Sequence, residues 1–455
     1  MRNLNLHRRR LLQVGAIGFS GLNLPSVLRA GGQQTAKAKS CILLYMDGGP
    51  SHIDLLDLKP GAPPEIRGPY SEIATSVPGL RIGELLPLVA QQMHRAVLIR
   101  SVRHEEVVHD PAVYQMLTGY KHVSSAGGLK VEETDLPQMA ASFGATVRTP
   151  AVMPKVIQLP QTMTMEGRVL PGQNAGVLGA ARDPFCVDVT KGGEVGLPSF
   201  GRDPQVSLSR LDDRVSLLRQ FNQELSRLES SDELERMDEF QSQALEILRS
   251  PRVEEAFHLT QEPAALRERY GRNRHGQSVL LARRLVEAGS RFVTVYWGRE
   301  DQDWADGRGN RPANNPWDTH RNHFPLVERS LVPRADRALS ALLQDLGDRG
   351  LLDDTLVIWM GDFGRTPRIT REWASRDHWP HAFSVLMAGG SLKPGCIYGR
   401  TDKFAAYVEE DPVTPADLTA TIFEVLGVNP HASVVDTQGR LHQLSTGTPL
   451  RELII

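Results

Sequence analysis

The sequence predicts an α/β fold, a mostly parallel central sheet covered by helices on both faces and carrying a helical insertion. Short apolar runs with β-branched and aromatic content recur along the chain, notably Cys41–Met46, Arg291–Trp297 and Thr355–Met360. Such runs read as strands buried on both faces. Segments of helical periodicity alternate with them, the pattern of a parallel sheet built from crossover units. Each of the three runs also leads to an aspartate set among glycine, serine or histidine: Asp47 at once, Asp318 after a polar loop, and Asp362 at once. In open α/β sheets ligands gather beyond the carboxyl ends of the strands, so the three acids are expected to meet at one edge.

Taken in order, the chain opens on a targeting segment. His7-Arg8-Arg9-Arg10 precedes a weakly apolar stretch from Val14 to Leu28 diluted by Gly15, Gly18 and Gly21. Residues 1–30 therefore read as a twin-arginine export signal, which implies passage through the twin-arginine translocase to a periplasmic or extracellular location. One α/β domain is expected over 39–455. Its first part has strands at 41–46, 96–100 and 153–159 among loops rich in Gly and Pro. Residues 205–270 read as a helical insertion, because Leu208, Leu211, Val215, Leu218, Phe221, Leu225 and Leu228 recur at three- and four-residue spacing. A helix over Gly276–Ala288 stops at Gly289 before the strand at 291. Phe324–Arg349 reads as a long helix packed on the sheet. The strand at 355–360, a loop to His381, a strand at 383–388 and a last helix complete the domain. Pro415 stands in the first turn of that helix and Gly427 ends it.

Composition narrows the function. The 455 residues are 40% hydrophobic and 23% charged with a formal net charge of −2, which offers no basic face for nucleic acid. Cys41, Cys186 and Cys396 have neither zinc-knuckle nor redox spacing, and Cys41 reads as a small buried hydrophobe.

The chemistry concentrates in a few loops. Asp47 ends an apolar strand, where desolvating a carboxylate costs several kcal/mol unless something compensates it, and Gly48-Gly49 lets the backbone approach a ligand. The competing reading is a turn cap worth about 1 kcal/mol. Asp318-Thr319-His320 is an Asp-x-His pair of metal-ligating type, and Asp377-His378-Trp379-Pro380-His381 repeats the theme. The candidate metal ligands are thus Asp47, Asp318, His320, Asp362, His378 and His381. His323 reads better as a water-exposed residue at a helix start than as a ligand. The two histidines at 378 and 381 precede a strand, so they reach the carboxyl edge only if that strand is antiparallel or their loop folds back. Ser51, His109 and Arg365 are the catalytic candidates: a hydroxyl nucleophile, a further ligand-type imidazole and an anion clamp through bidentate guanidinium geometry. Ser51 lacks the second glycine of a nucleophile elbow. A mixed imidazole and carboxylate set favours zinc, manganese or iron, zinc or manganese foremost and in one or two ions, over calcium or magnesium.

The stretches ILLYMDGGPSHIDLLDLKP, GQSVLLARRLVEAGSRFVTV, WDTH, GDFGRTP, RDHWPHAFSVLMAGG and PVTPADLTATIFEVLGVNP resemble the domain-of-unknown-function family 1501, sulfatase-like proteins of the alkaline phosphatase superfamily. The resemblance implies an alkaline-phosphatase-like sheet and a metal-dependent hydrolase of sulfate or phosphate esters, acting on a small-molecule or saccharide ester. It also implies metal roles for Asp47, Asp318, Asp362 and His378. Phe363 stands where that superfamily usually has a second metal-binding histidine. No serine, threonine or cysteine stands at the usual nucleophile position, which falls near Glu105. No cysteine has a Cys-x-Pro-x-Arg context. The alternative is a metal-stabilised, non-catalytic binding protein on the same fold.

Overall fold

The computed structural model describes residues 38–147, 153–190, 194–196, 250–298 and 316–455. The export segment and residues 205–249 of the expected insertion lie outside the described residues. The remainder of that insertion, 250–270, forms short helices at Pro251–Phe257 and Ala264–Tyr270.

Eight strands form the central sheet: β1 (Ser40–Met46), β2 (Ala96–Val102), β3 (Val156–Leu159), β4 (Phe185–Cys186), β5 (Phe292–Tyr296), β6 (Thr355–Gly361), β7 (Phe383–Ala388) and β8 (Cys396–Tyr398). Their order across the sheet is β8-β2-β7-β6-β1-β5-β3-β4. Seven point one way. Only β7 opposes them, pairing antiparallel with β6 on one side and β2 on the other. Its first residue, Phe383, lies opposite Val102 at the end of β2. The loop entering β7 therefore sits at the carboxyl edge of the remaining strands, which resolves the polarity question posed by His378 and His381. At the centre, Tyr45 pairs with both Tyr296 and Met360, and Met46 with Gly361. Asp47 and Asp362 thus leave adjacent strands at the same level.

Alternation along β1 divides the core. Ile42, Leu44 and Met46 face one apolar cluster, and Cys41, Leu43 and Tyr45 face the other. Period-two side-chain direction requires this split in a strand covered on both faces. Five helices of the chain matter here: α1 (His109–Thr118), α2 (Met139–Thr146), α3 (Arg274–Glu287), α4 (Val332–Asp348) and α5 (Pro415–Val425). α3 and α4 supply the first cluster, whereas α1, α2 and α5 supply the second.

Capping fixes where these helices begin. The Asn273 carboxamide oxygen accepts the Gly276 N–H at 2.9 Å at the start of α3. Thr414 and Asp417 form a reciprocal capping box on α5, with Pro415 in its first turn. The expected helix from Phe324 is continuous but not uniform: a turn at His323–Leu326 and a π-helical turn at Val327–Leu331 precede α4. His323 is the first residue of that turn as anticipated, yet it is buried rather than exposed, at 1% accessibility. Its Nε2 meets Asp54 Oδ2 at 2.9 Å.

Candidate metal centre

Three loops converge at the carboxyl edge. Gly48 N donates to Asp362 Oδ1 at 3.0 Å, joining the ends of β1 and β6. Trp317 N donates to the Asp47 carbonyl at 3.1 Å, bringing in the segment that carries Asp318. Gly48 permits this approach: its φ is +114°, and a Cβ there would stand 2.2 Å from Asp318 N. Arg365 then locks the three together. Its Nε donates to Gly49 O at 2.9 Å, and its Nη2 donates to Gly48 O, to Trp317 O at 2.6 Å and to Asp318 Oδ1 at 3.0 Å. The guanidinium is fully buried. Nε and Nη2 of Arg365 are therefore taken by backbone carbonyls and one carboxylate, which leaves Nη1, buried and without a partner among the described residues, as the donor the anion-clamp reading would use.

Around Asp318 stand three imidazoles. His109 Nε2 lies 3.3 Å from Asp318 Oδ1, and His320 Nε2 and His378 Nε2 each lie 3.0 Å from the same oxygen. The two last nitrogens are 2.7 Å from one another. One ligand atom each from His109, Asp318 and His378 falls within 4.8 Å of the others. Each ring's other nitrogen meets an acceptor on the outside: His109 Nδ1 meets Asp362 Oδ2 at 2.5 Å, His378 Nδ1 meets the Val107 carbonyl at 2.8 Å, and His320 Nδ1 meets Asp377 Oδ1 at 2.7 Å. A carbonyl or a carboxylate can only accept, so each Nδ1 carries the proton. In the neutral ring Nε2 then presents a lone pair. Three lone pairs facing one carboxylate oxygen repel unless a cation sits among them or the rings are protonated.

The electrostatics repeat that conclusion. Burial alone would lower the His109 imidazole, but Asp318 and Asp362 outweigh it and hold the group at about 9. This occurs at a helix start, where the macrodipole disfavours positive charge. Burial and the nearby Arg365 and His109 bring His378 down to about 4 in spite of Asp318. Although burial would raise Asp318, His109, His320 and His378 hold it well below the carboxylate range. An outer acceptor on each Nδ1 and inward Nε2 atoms make up the arrangement by which proteins orient metal-ligating histidines. The donor set therefore fits a divalent ion held by His109, Asp318 and His378, with His320 half-buried at the rim.

The structure sorts the sequence candidates. Asp318, His320 and His378 meet directly, and Asp362 reaches them through His109. His109, read from sequence as catalytic, lies in the cluster as a donor. Asp47 is buried beside it, linked through its backbone. His381 is not in the cluster; its ring packs against Trp379 at 4.8 Å and Tyr407 at 5.7 Å. Ser51 belongs to a different network. Its Oγ donates to Asp54 Oδ2 at 2.5 Å, and Asp54 also accepts from Arg376 at 2.7 and 2.9 Å. With Ser51 only 1% exposed, its hydroxyl stabilises a buried ion pair instead of standing as a nucleophile.

Sequence reasoning missed the part that two residues play in supporting the centre. His104 Nε2 donates to the Asp362 carbonyl at 2.6 Å, its tautomer set by Glu106 N donating to Nδ1 at 3.1 Å. Phe363 is fully buried and packs on the rings of His109 and His378, at 4.9 and 4.4 Å between centroids. A histidine just past the end of a strand carries no periodic signal, so nothing local marked the role of His104.

A family model described as "Protein of unknown function (DUF1501)" matches residues 38–454. No curated protein matches the chain. Among solved structures, the fold is similar to the phosphonate monoester hydrolase SpPMH from Silicibacter pomeroyi, at 12% identity and a TM-score of 0.39, over 91% of this chain and 76% of that one. It is similar to the PsFucS1 sulfatase from Pseudoalteromonas sp., at 13% identity and a TM-score of 0.37, over 89% and 70%. A protein in the alkaline phosphatase superfamily from Vibrio parahaemolyticus aligns at 11% identity with a TM-score of 0.36, over 87% and 68%. Among the described residues, no helix is long and apolar enough to cross a membrane.

Proposed function

The chain belongs to the DUF1501 family of proteins of unknown function, and from that premise we propose that it is an exported metal-dependent hydrolase of sulfate or phosphate esters. The observation that carries the reading is the set of inward Nε2 atoms around Asp318 Oδ1, each backed by an acceptor on its Nδ1. His109, Asp318 and His378 would hold the ion. Zinc or manganese suits this donor set better than an all-oxygen cation. A divalent ion bound there would polarise an ester oxygen and lower the pKa of a water.

The protein's own groups do the rest. Asp362 holds the His109 proton at Nδ1 and so keeps Nε2 directed at the centre. Arg365 and Gly48 fix the distance between the Asp318 segment and the end of β1.

The alternative, a metal-stabilised protein without catalysis, draws on Phe363: its ring packs beside both His109 and His378, at the position where the resemblance would place a second metal's imidazole. One paired measurement separates them. Elemental analysis of the purified protein is combined with assays on aryl sulfate and aryl phosphate. Metal with turnover, both lost in Asp318→Asn and His378→Ala, supports the hydrolase. Metal without turnover leaves the binding protein, and absence of metal refutes both. Export is tested separately, since Arg8→Lys with Arg9→Lys should retain the precursor in the cytoplasm. Normal fractionation of that double variant would remove the twin-arginine route.

A further inference from the structure

A row of polar side chains crosses the α1–α2 face of the sheet below the metal centre. Tyr45 and Tyr296 pair across β1 and β5, with rings in an edge contact at 6.1 Å. One pleat further back, Thr294 pairs with Gln158 across β5 and β3, and Gln158 pairs with Cys186 on β4. Alternation places all five on one face, because their neighbours Val293, Val295, Ile157 and Leu159 enter the opposite core. The apolar residues of this face belong to one core cluster.

Four of these groups are buried polar atoms without a hydrogen-bond partner: Tyr45 Oη, Tyr296 Oη, Thr294 Oγ1 and Gln158 Oε1. Their residues are 0%, 1%, 1% and 5% exposed. Such orphans are rare in folded proteins, and one alone can be a local compromise. Four on three adjacent strands, with strand spacing near 4.8 Å, form a lining. The row has two ends. At one, Tyr45 stands two residues before Asp47, where β1 runs into the metal centre. At the other, Gln158 Nε2 donates to Thr162 Oγ1 at 3.0 Å, and Thr162 contacts Cys186 Sγ at 3.8 Å; Thr162 and Cys186 are both half-buried.

The chemistry of the lining selects its occupant. Phenol, hydroxyl and carboxamide are neutral, which suits neither a bare anion nor a bare cation. Three hydroxyls can each donate and accept, and the carboxamide oxygen accepts. Water matches that set and is the usual partner of polar groups buried in this way. We propose that Tyr45, Tyr296, Thr294 and Gln158 line an internal hydration site, a file of ordered waters between the Asp47 corner of the metal centre and the Thr162–Cys186 edge. The site gives the centre a route for solvent through the body of the domain, separate from the rim at His320.

The test turns on the sign of a stability change and does not depend on any catalytic activity. Thr294→Val, Tyr296→Phe and Tyr45→Phe each delete a hydroxyl with little change of shape. If the groups hold water, each deletion strips a partner from a buried molecule, and the unfolding midpoint of the full chain falls by about 2 °C or more. If the groups stand in a dry core, deleting them leaves the midpoint unchanged or raises it, and the proposal is overturned. A crystal structure of the wild type gives the second measurement should a variant fail to fold. Water density within hydrogen-bond reach of at least two of the four atoms supports the site, and its absence from well-defined density refutes it.

Discussion

Arg365 and Gly48 illustrate how a residue's type announces importance without announcing a role. A guanidinium near clustered acids reads as an anion clamp, but here its Nε and Nη2 hold the carbonyls of Gly48, Gly49 and Trp317 and the carboxylate of Asp318. Removing a buried, paired charge leaves its partners uncompensated, so Arg365→Ala should cost about 3–5 kcal/mol. Arg365→Lys should also fail, because an ammonium cannot reproduce the fork. Chemical denaturation measures this; a variant of wild-type stability with only weakened substrate binding would restore the clamp. Gly48→Ala acts more locally. With φ at +114° and Asp318 N only 2.2 Å from the new Cβ, the 317–318 segment must move. Metal affinity should drop by roughly tenfold or more, as for lost outer-shell support, while the sheet persists. Titration with zinc under a competing chelator reports it, and unchanged affinity would mean that Gly48 does not set the approach.

Helix α4 carries a device that no periodicity shows. Asp336 reaches across to the short helix Pro87–Gln92 and accepts the N–H groups of Leu88 at 3.1 Å and Val89 at 2.7 Å. One helix thereby caps another. Burial raises the Asp336 carboxyl to about 6, against the two N–H donors that pull it down. A folded value above the unfolded one, near 3.9, means that its stability contribution is complete below about pH 4 and is lost as pH rises through about 6. Asp336→Asn removes that dependence. The stability difference should move in the variant's favour between about pH 4 and 6 and stay level above. Parallel stability curves would contradict the assignment. The same element limits sequence reading: α4's apolar stripe announced a helix, but the π-helical turn before it depends on how the chain enters the core.

At the scale of the domain, the candidate centre links the ends of β1 and β6 with α1 and the ribbon of Gly364–Arg365 and His378–Trp379. A ligand bound only by the folded state stabilises it by mass action. Chelator should therefore lower the unfolding temperature of the wild type and leave Asp318→Asn unmoved. An identical chelator response in both would locate the metal elsewhere.

The strands, the helices and their alternation were legible in the sequence because each is a local matter: burial on both faces demands continuous apolar runs, and burial on one demands a stripe. Family membership was legible as well, since its motifs are contiguous. Several ligand types were legible, because an aspartate after an apolar strand costs too much to be idle. What the tertiary structure alone decided is direction and distance. The antiparallel course of β7 brings His378 to the right edge, and nothing in Phe383–Ala388 states its partner's polarity. His109 turned from a candidate in the chemistry into a donor beside Asp318, Ser51 went to Asp54, and His381 went to Trp379 and Tyr407. Residues of identical type at similar loop positions diverge in role because a few ångströms of packing, accumulated over hundreds of residues of separation, choose which lone pairs meet.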